Sequence, residues 1–475
     1  MIFTSPQFAV FFVLFFWLWI ALRGRGDARK WLLLAASYLF YGSWNAKFLL
    51  LILGSTAVDF YVGRALAATE DARRRKRLLW VSVGVNLGAL GFFKYFDFFV
   101  KSAVDALAAL GVEAHLPTLQ ILLPVGISFY TFQTMSYTID IYRREMAPTR
   151  RFLDFALYVA FFPQLVAGPI ERASHFLPQV AKPRTITSGQ IEAGVWLIVW
   201  GLFKKVVIAD NVAGVANTVF NGYTHYEGLD LLIGALAFTV QIYGDFSGYS
   251  DIARGLAKLM GFELMVNFAL PYFSRTPSEF WRRWHISLSS WLRDYLYISL
   301  GGNRGGSLMT YRNLALTMLL GGLWHGAAWN FVLWGAFHGL ILCVYRPFEL
   351  RKRADAAPLP MPLRVAKAFA MWFVFFVLTV IGWVLFRAES VPQIEHFLTH
   401  MWSFETSAMT ADLATTVGWC ALPLFVAQVA QYARHDLLAP VRGPWIWRAA
   451  LCAVLAAALP LFAPGESVEF IYFQF

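Results

Sequence analysis

Between Asn313 and Tyr345 the chain runs for 33 residues without one Asp, Glu, Lys or Arg. As a straight helix that run would reach about 50 Å at 1.5 Å per residue. The hydrocarbon core of a bilayer is only about 30 Å thick. The segment must therefore tilt strongly, break, or run inside protein. Other apolar stretches recur at 8–22, 31–44, 48–66, 78–93, 121–142, 195–209, 229–243, 366–386, 415–432 and 446–462. Charged residues make up 15% of the chain and hydrophobic residues 58%; soluble domains carry about 25% charged residues. This balance excludes an ordinary soluble domain. The expected fold class is all-α, a polytopic membrane helical bundle.

The net charge of +11 does not imply a nucleic-acid partner, because the basic residues gather in short connectors. Arg23, Arg25, Arg29 and Lys30 form one group, and Arg73, Arg74, Arg75, Lys76 and Arg77 another. Arg143, Arg144, Arg150 and Arg151 form a third, and Arg346, Arg351, Lys352 and Arg353 a fourth. The positive-inside rule assigns these connectors to the cytoplasm, with the neutral turn near Ser43 and the weakly charged loop 105–118 opposite. The loop 387–413 carries Glu389, Glu395, Glu405 and Asp412 against Arg387, and Glu466 and Glu469 follow Phe462 with no basic residue. Both termini are thus expected on the outer side. The stretch 8–22 has its positive charges after it, which reads as an uncleaved anchor rather than a signal peptide. Cys343, Cys420 and Cys452 lie far apart in apolar surroundings and suggest neither a disulfide framework nor a metal site. The loop 351–364, with Pro358, Pro360 and Pro362, divides an expected core, 1–350, from C-terminal membrane helices, 351–475.

Unusual residues concentrate in a polar centre at 241–345. In GGLWHGAAWN, Gly321, Gly322 and Gly326 bracket Trp324 and His325, and glycine is where a helix most readily kinks. Helical spacing puts Met318, Gly321, Gly322, Ala328, Trp329, Val332, Ala336, Gly339 and Cys343 on the face of His325. That small-residue face suits a close helix–helix contact or the wall of a channel. His338 lies about 220° round and cannot share a site with His325 unless the helix breaks. An ionisable group this deep either bonds a neighbouring helix or faces an interior pathway. Neutral imidazole is suited to act as a base near neutral pH.

Read as one helix, 278–295 presents Trp281, His285, Leu288, Leu292 and Leu296 as an apolar stripe, opposite Arg283, Ser287, Ser290 and Asp294. Arg282 flanks His285 on that wheel. The pattern fits an interfacial or re-entrant helix. The following GGNRGG, with Asn303 and Arg304, reads as a plain turn or an anion-holding loop. In QIYGDFSGYSD, Asp245 and Asp251 are six apart on different faces, which argues against a shared metal. Lys204 and Lys205 are expected to snorkel. His396 and His400 have i,i+4 ligand spacing but no evident third ligand, so no metal site is expected.

The runs FWRRWHISLSSWLRDYLYISLGGNR (280–304) and GGLWHGAAWNFVLWGAFHG (321–339) resemble the membrane-bound O-acyltransferases, and within them the bacterial alginate O-acetyltransferase branch. LLPVGISFYTFQTMSYTIDIYR (122–143), FPQLVAGPI (162–170), GLFKKVVIAD (201–210), QIYGDFSGYSDIARGL (241–256) and SYLFYGSW (37–44) add to the resemblance, which covers roughly 1–345. It implies a helical bundle with re-entrant or interfacial helices around a central tunnel. By position, His325 matches the family's essential histidine and His285 its second polar position, where many eukaryotic relatives have asparagine. Trp281, Arg282, Asn303, Arg304, Trp324, Trp329 and Asn330 are the accompanying candidates for binding donor or substrate.

The resemblance also implies a bacterial inner-membrane enzyme without a bound cofactor. It would take acetyl from acetyl-CoA, or from an acyl carrier protein, toward a periplasmic acetyltransferase partner or an exported polysaccharide. His325 would act as general base or carry the acetyl group covalently, and His285 would orient the thioester or stabilise its oxyanion. Transfer to peptidoglycan or cellulose, or of D-alanine to teichoic acid, is the rival within the family. A proton-coupled transporter is the rival outside it, and the absence of an internal repeat argues against that one.

Overall fold

The computed structural model describes residues 1–114, 118–119, 123–165, 168–351, 360–465 and 470–471. Regular structure among the described residues is helical. Seven helices there are long and apolar enough to cross a membrane, and Pro6–Ala21 is a shorter apolar helix. The chain is a polytopic helical membrane protein. It forms two compact units, one of residues 1–195 and 253–265, the other of residues 196–252 and 266–475. Most of the Pro-rich stretch expected to divide the chain, 352–359, lies outside the described residues.

The first unit carries α1 (Pro6–Ala21), α2 (Gly26–Gly42), α3 (Leu49–Ala67), α4 (Ala72–Leu90), α5 (Phe96–Ala109), α6 (Ile127–Tyr142), α7 (Phe152–Ala160), α8 (Phe162–Leu165) and α9 (Ala173–Ala181). Its α1 starts where it does because Ser5 accepts a hydrogen bond from the Phe8 amide at 3.2 Å and Pro6 needs none. A polar seam ties α3, α4 and α6. Asp59 accepts from Ser82 Oγ at 2.6 Å and Asn86 Nδ2 at 2.8 Å, and Ser82 Oγ lies 2.8 Å from Thr138 Oγ1. In a lipid setting such bonds are the specific glue between helices.

The basic group 73–77 is not a loop, because it forms the first turns of α4. Buried Arg75 donates to the Leu66, Thr69, Ile141 and Tyr142 carbonyls, so one guanidinium closes the C-terminal ends of α3 and α6. Two other expectations shift in the same way. Residues 105–109 continue α5 rather than forming a loop, and in 121–142 the helix begins only at Ile127.

The second unit continues with α10 (Ser188–Leu202) and α12 (Gly228–Leu259), which give residues to both units, and α11 (Asp210–Asn221) between them. Then follow α13 (Pro277–Trp281), α14 (Ile286–Trp291), α15 (Gly306–His325), α16 (Trp329–Arg351), α17 (Met361–Arg387), α18 (Val391–His400), α19 (Thr410–Arg434) and α20 (Trp445–Phe462). Where α10 and α12 cross, Gly201 and Gly248 meet backbone to backbone. A Cβ on Gly201 would stand 2.6 Å from the Gly248 oxygen.

The over-long run breaks. α15 ends at His325, Gly326 is extended at φ −159° and ψ 152°, and α16 starts at Trp329. Part of the small-residue face is a helix–helix contact inside this hairpin, where a Cβ on Gly322 would lie 2.2 Å from the Phe331 oxygen and one on Gly339 would lie 3.3 Å from the Ala315 Cα, whereas Trp329 and Ala336 are exposed. Gly322→Ala is therefore expected to lower stability by about 1–3 kcal/mol, as an overpacked core does. Gly84→Ala, with nothing within 4 Å of the new methyl, should leave the midpoint unchanged or raise it. Thermal unfolding of the detergent-solubilised protein measures both.

Lys204 and Lys205 do not snorkel. They are 2% and 1% exposed on a π-helical turn, Phe203–Ala209. Lys204 Nζ meets Asp251 Oδ2 at 2.7 Å and Ser247 Oγ at 2.8 Å. Lys205 Nζ meets Asp210 Oδ1 at 2.7 Å and Asp245 Oδ1 at 3.0 Å. Asp245 and Asp251, expected on different faces, serve different lysines. Asp245 Oδ2 also accepts the Ile471 amide at 2.7 Å.

Candidate active site

The segment 278–295 is not one helix, and the apolar stripe expected of it does not exist. α13 ends at Trp281, a turn follows, and His285 stands at φ 43° and ψ 53° as the residue before α14. A non-glycine residue in the left-handed region costs on the order of 1–3 kcal/mol and persists only where its surroundings impose it. Here they do. The Ile286 amide donates to the Asn267 carbonyl at 2.9 Å, and the Ser287 amide and hydroxyl donate to Asn267 Oδ1 at 3.3 and 2.6 Å. On the other side the Ala269 amide donates to the Arg283 carbonyl at 2.9 Å. Trp284 anchors the turn, 1% exposed, with its ring 4.7 Å from Trp383 and 5.0 Å from Phe268.

This turn brings His285 to His325. The ring centroids are 6.3 Å apart, and the residues are 0% and 4% exposed. His325, in the last turn of α15, is enclosed by Trp324 at 5.1 Å, Trp334 at 5.0 Å and Phe386 at 5.4 Å. His285 lies 4.7 Å from Phe246 and 5.8 Å from Trp324. The two imidazoles thus lie close together, tilted by 50°, in an aromatic surround.

The other candidates fall into two groups. Trp324 is buried beside both histidines. Trp281 packs at 5.7 Å on Trp334 and 5.1 Å on His338. Asn330 Nδ2 donates to the Phe386 carbonyl at 3.0 Å, tying the start of α16 to the end of α17 beside His325. Trp329 is 59% exposed. Arg282, Asn303 and Arg304 are surface residues. Arg282 Nη2 lies 3.7 Å from Glu349 Oε1, while Asn303 Oδ1 accepts from the Tyr297 hydroxyl and from Arg346 Nη2, the latter at 3.4 Å. Arg282 and Asn303 thus meet the last turns of α16, the end remote from the histidines.

Because the helix breaks, the angular argument that separated His338 from His325 lapses. His338, 2% exposed, stands 4.6 Å from Trp334, whose other side meets His325. Sequence reasoning missed Phe246, Asn267, Trp383 and Phe386. Phe386 lies beyond the region that carries the resemblance, and Asn267 sits in a stretch with no motif. A carboxamide in an apolar segment just before a Trp-rich turn was the available signal for Asn267.

A family model described as MBOAT, the membrane-bound O-acyltransferase family, matches residues 142–386. The chain is 46% identical over 408 residues to the probable alginate O-acetylase AlgI of Pseudomonas aeruginosa, covering 86% of this chain and 76% of that protein. It is 34% identical over 498 aligned positions to the peptidoglycan O-acetyltransferase of Helicobacter pylori, covering 94% and 91%. To the teichoic acid D-alanyltransferase of Bacillus subtilis it is 30% identical over 257 residues, covering 50% and 62%.

Proposed function

The chain belongs to the membrane-bound O-acyltransferase family, and from that premise we propose that it transfers acetyl groups from acetyl-CoA toward an exported polysaccharide of the alginate class. The observation that carries the reading is the buried pair His285 and His325, with ring centroids 6.3 Å apart, on two motifs of the family. His325 takes the proton of an acceptor hydroxyl while its oxygen attacks the thioester carbonyl. The carbon–sulfur bond then breaks, and CoA leaves as a thiolate that recovers the proton. His285 donates a hydrogen bond to the oxyanion or to the thioester oxygen. General-base assistance contributes about 10²–10⁴-fold, and one oxyanion donor about 10²–10³-fold.

Donor and acceptor meet in a tunnel between the two sides of the inner membrane. Arg282, at Glu349 near the end of α16 that leads into the basic connector 351–364, and Arg304, next in sequence to the Asn303 that meets Arg346, offer counter-charges for the phosphates of CoA. The same charge pattern puts both termini on the periplasmic side, where a partner acetyltransferase or the polysaccharide receives the group. The acetylase relatives align over most of this chain, whereas the D-alanyl relative aligns over half, which favours acetyl over aminoacyl transfer.

The test is purified protein with acetyl-labelled CoA and a panel of alginate, peptidoglycan and cellulose oligomers. Label is expected on alginate-class hydroxyls. His285→Ala should reduce turnover by about 10²-fold, and His285→Asn, which keeps a donor, should retain more. Labelling only from a charged carrier protein would replace the reading with aminoacyl transfer.

A further inference from the structure

The histidines His396 and His400 were expected to lack a third ligand, and the fold supplies one. Glu227, on the turn before α12, brings its carboxylate to them, so that one donor atom from each residue lies within 4.8 Å of the other two. We infer that Glu227, His396 and His400 form a site for a divalent transition metal of the zinc class, which ties α18 to the turn that starts α12.

The chemistry of the donor set fits. Two imidazoles and a carboxylate are zinc-class ligands with bonds of about 2.0–2.2 Å, and a fourth position stays open for water. His396 and His400 are one helical turn apart, their rings stacked with centroids 4.3 Å apart. One nitrogen of each ring meets a backbone carbonyl, and His400 Nδ1 also lies 2.8 Å from the Thr399 hydroxyl. His396 Nε2 meets the Tyr226 carbonyl at 3.2 Å, and His400 Nδ1 meets the His396 carbonyl at 3.0 Å. A carbonyl can only accept, so these bonds hold the tautomers in which His396 Nδ1 and His400 Nε2 carry the lone pairs. Ligating histidines are commonly oriented by such a backbone bond.

Both halves of the site are held in place without the metal. On α18, Phe397 is fully buried and stacks on Phe220 at 4.3 Å, and Gln393 Nε2 donates to the Phe220 carbonyl at 2.6 Å. On the other half, the Leu229 amide donates to the Glu405 carbonyl at 2.8 Å. Gly228 has φ +51°, and a Cβ there would stand 2.3 Å from the Glu405 nitrogen. Only side-chain rotation is then needed to close three donors on one ion. Such an ion joins α12, which carries Phe246 against His285, to the helix that follows Phe386 at His325. Its role is to fix structure, and no chemical step depends on it.

The experiment uses the full chain in detergent, its affinity tag removed, stripped with chelator and titrated with Zn²⁺ against a chromophoric competitor. One Zn²⁺ per chain is expected, with Kd of about 10 µM or tighter, weakened about 30-fold or more by His400→Ala and about 10-fold by Glu227→Gln. At a fixed Zn²⁺ concentration that saturates the wild type, the melting temperature of the wild type should rise by about 2–4 °C and that of both variants by less. All three residues lie at the surface, so the variants are expected to fold. Equal affinity and stoichiometry in the double variant His396→Ala and His400→Ala would overturn the site. So would the absence of saturable binding below about 100 µM in the wild type.

Discussion

His325→Ala is expected to lower acetyl transfer by about 10²–10⁴-fold, the contribution of a positioned general base. The loss should fall on kcat, with KM for acetyl-CoA changed little, because the imidazole acts on the acceptor hydroxyl rather than on the nucleotide. Yield and melting temperature should stay near wild type, since Trp334, Phe386 and Trp383 keep their contacts with one another. His325→Gln separates base chemistry from packing. It keeps volume and hydrogen bonding but cannot take a proton, and should be as inactive as the alanine variant. Wild-type turnover in either variant would falsify the assignment. A fall confined to KM would instead make His325 a binding residue.

Lys205→Met is expected to produce the largest loss of stability in the molecule. The lysine is 1% exposed and answers both Asp210 and Asp245. Removing one partner of a buried pair leaves an uncompensated charge, a loss of about 3–5 kcal/mol. Removing one of the two carboxylates as well, with Lys205→Met plus Asp245→Asn, returns the cluster to its wild-type net charge and should recover part of it. Lys204→Met should cost less, because its partner Asp251 keeps 18% of its side chain accessible to solvent. The measurement is the monodisperse fraction and the unfolding midpoint in detergent. If Lys205→Met matches wild type in both, the pair does not hold α10, α11 and α12 together.

The parts legible in the sequence were those set by local composition and length. A break was one of three outcomes left open by a run too long for the bilayer, with glycines at its centre marking where it could fall, and the helical class followed from recurrent apolar stretches. His325 and His285 were found through motifs. Their approach was not readable, because the left-handed turn at His285 is imposed by Asn267 and by the Trp284 anchor, which local periodicity does not encode. The lysines were misread for a related reason. A lysine near a helix end is ordinarily solvated, and only the crossing of α10 with α12 brings Asp245 and Asp251 to it. The pair His396 and His400 was visible at i,i+4, whereas Glu227 reaches it only through the packing of α18 on the 222–227 turn. In each case local periodicity failed where a side chain from a remote segment decided the outcome.

The ion pairs of Lys204 and Lys205 also dictate an order of assembly. A lysine at the centre of a membrane helix costs about 2.5–3.5 kcal/mol at the insertion machinery. The first of these helices emerges with two of them, and Asp210 is the one acidic partner then at hand. Lys204 is separated from Asp251 by 47 residues, which the ribosome takes about 2–10 s to add. Until then the carboxylate of Asp251, which meets Lys204 in the fold, does not exist. The charge balance around Lys204 seen in the fold is therefore complete only once α12 has been made.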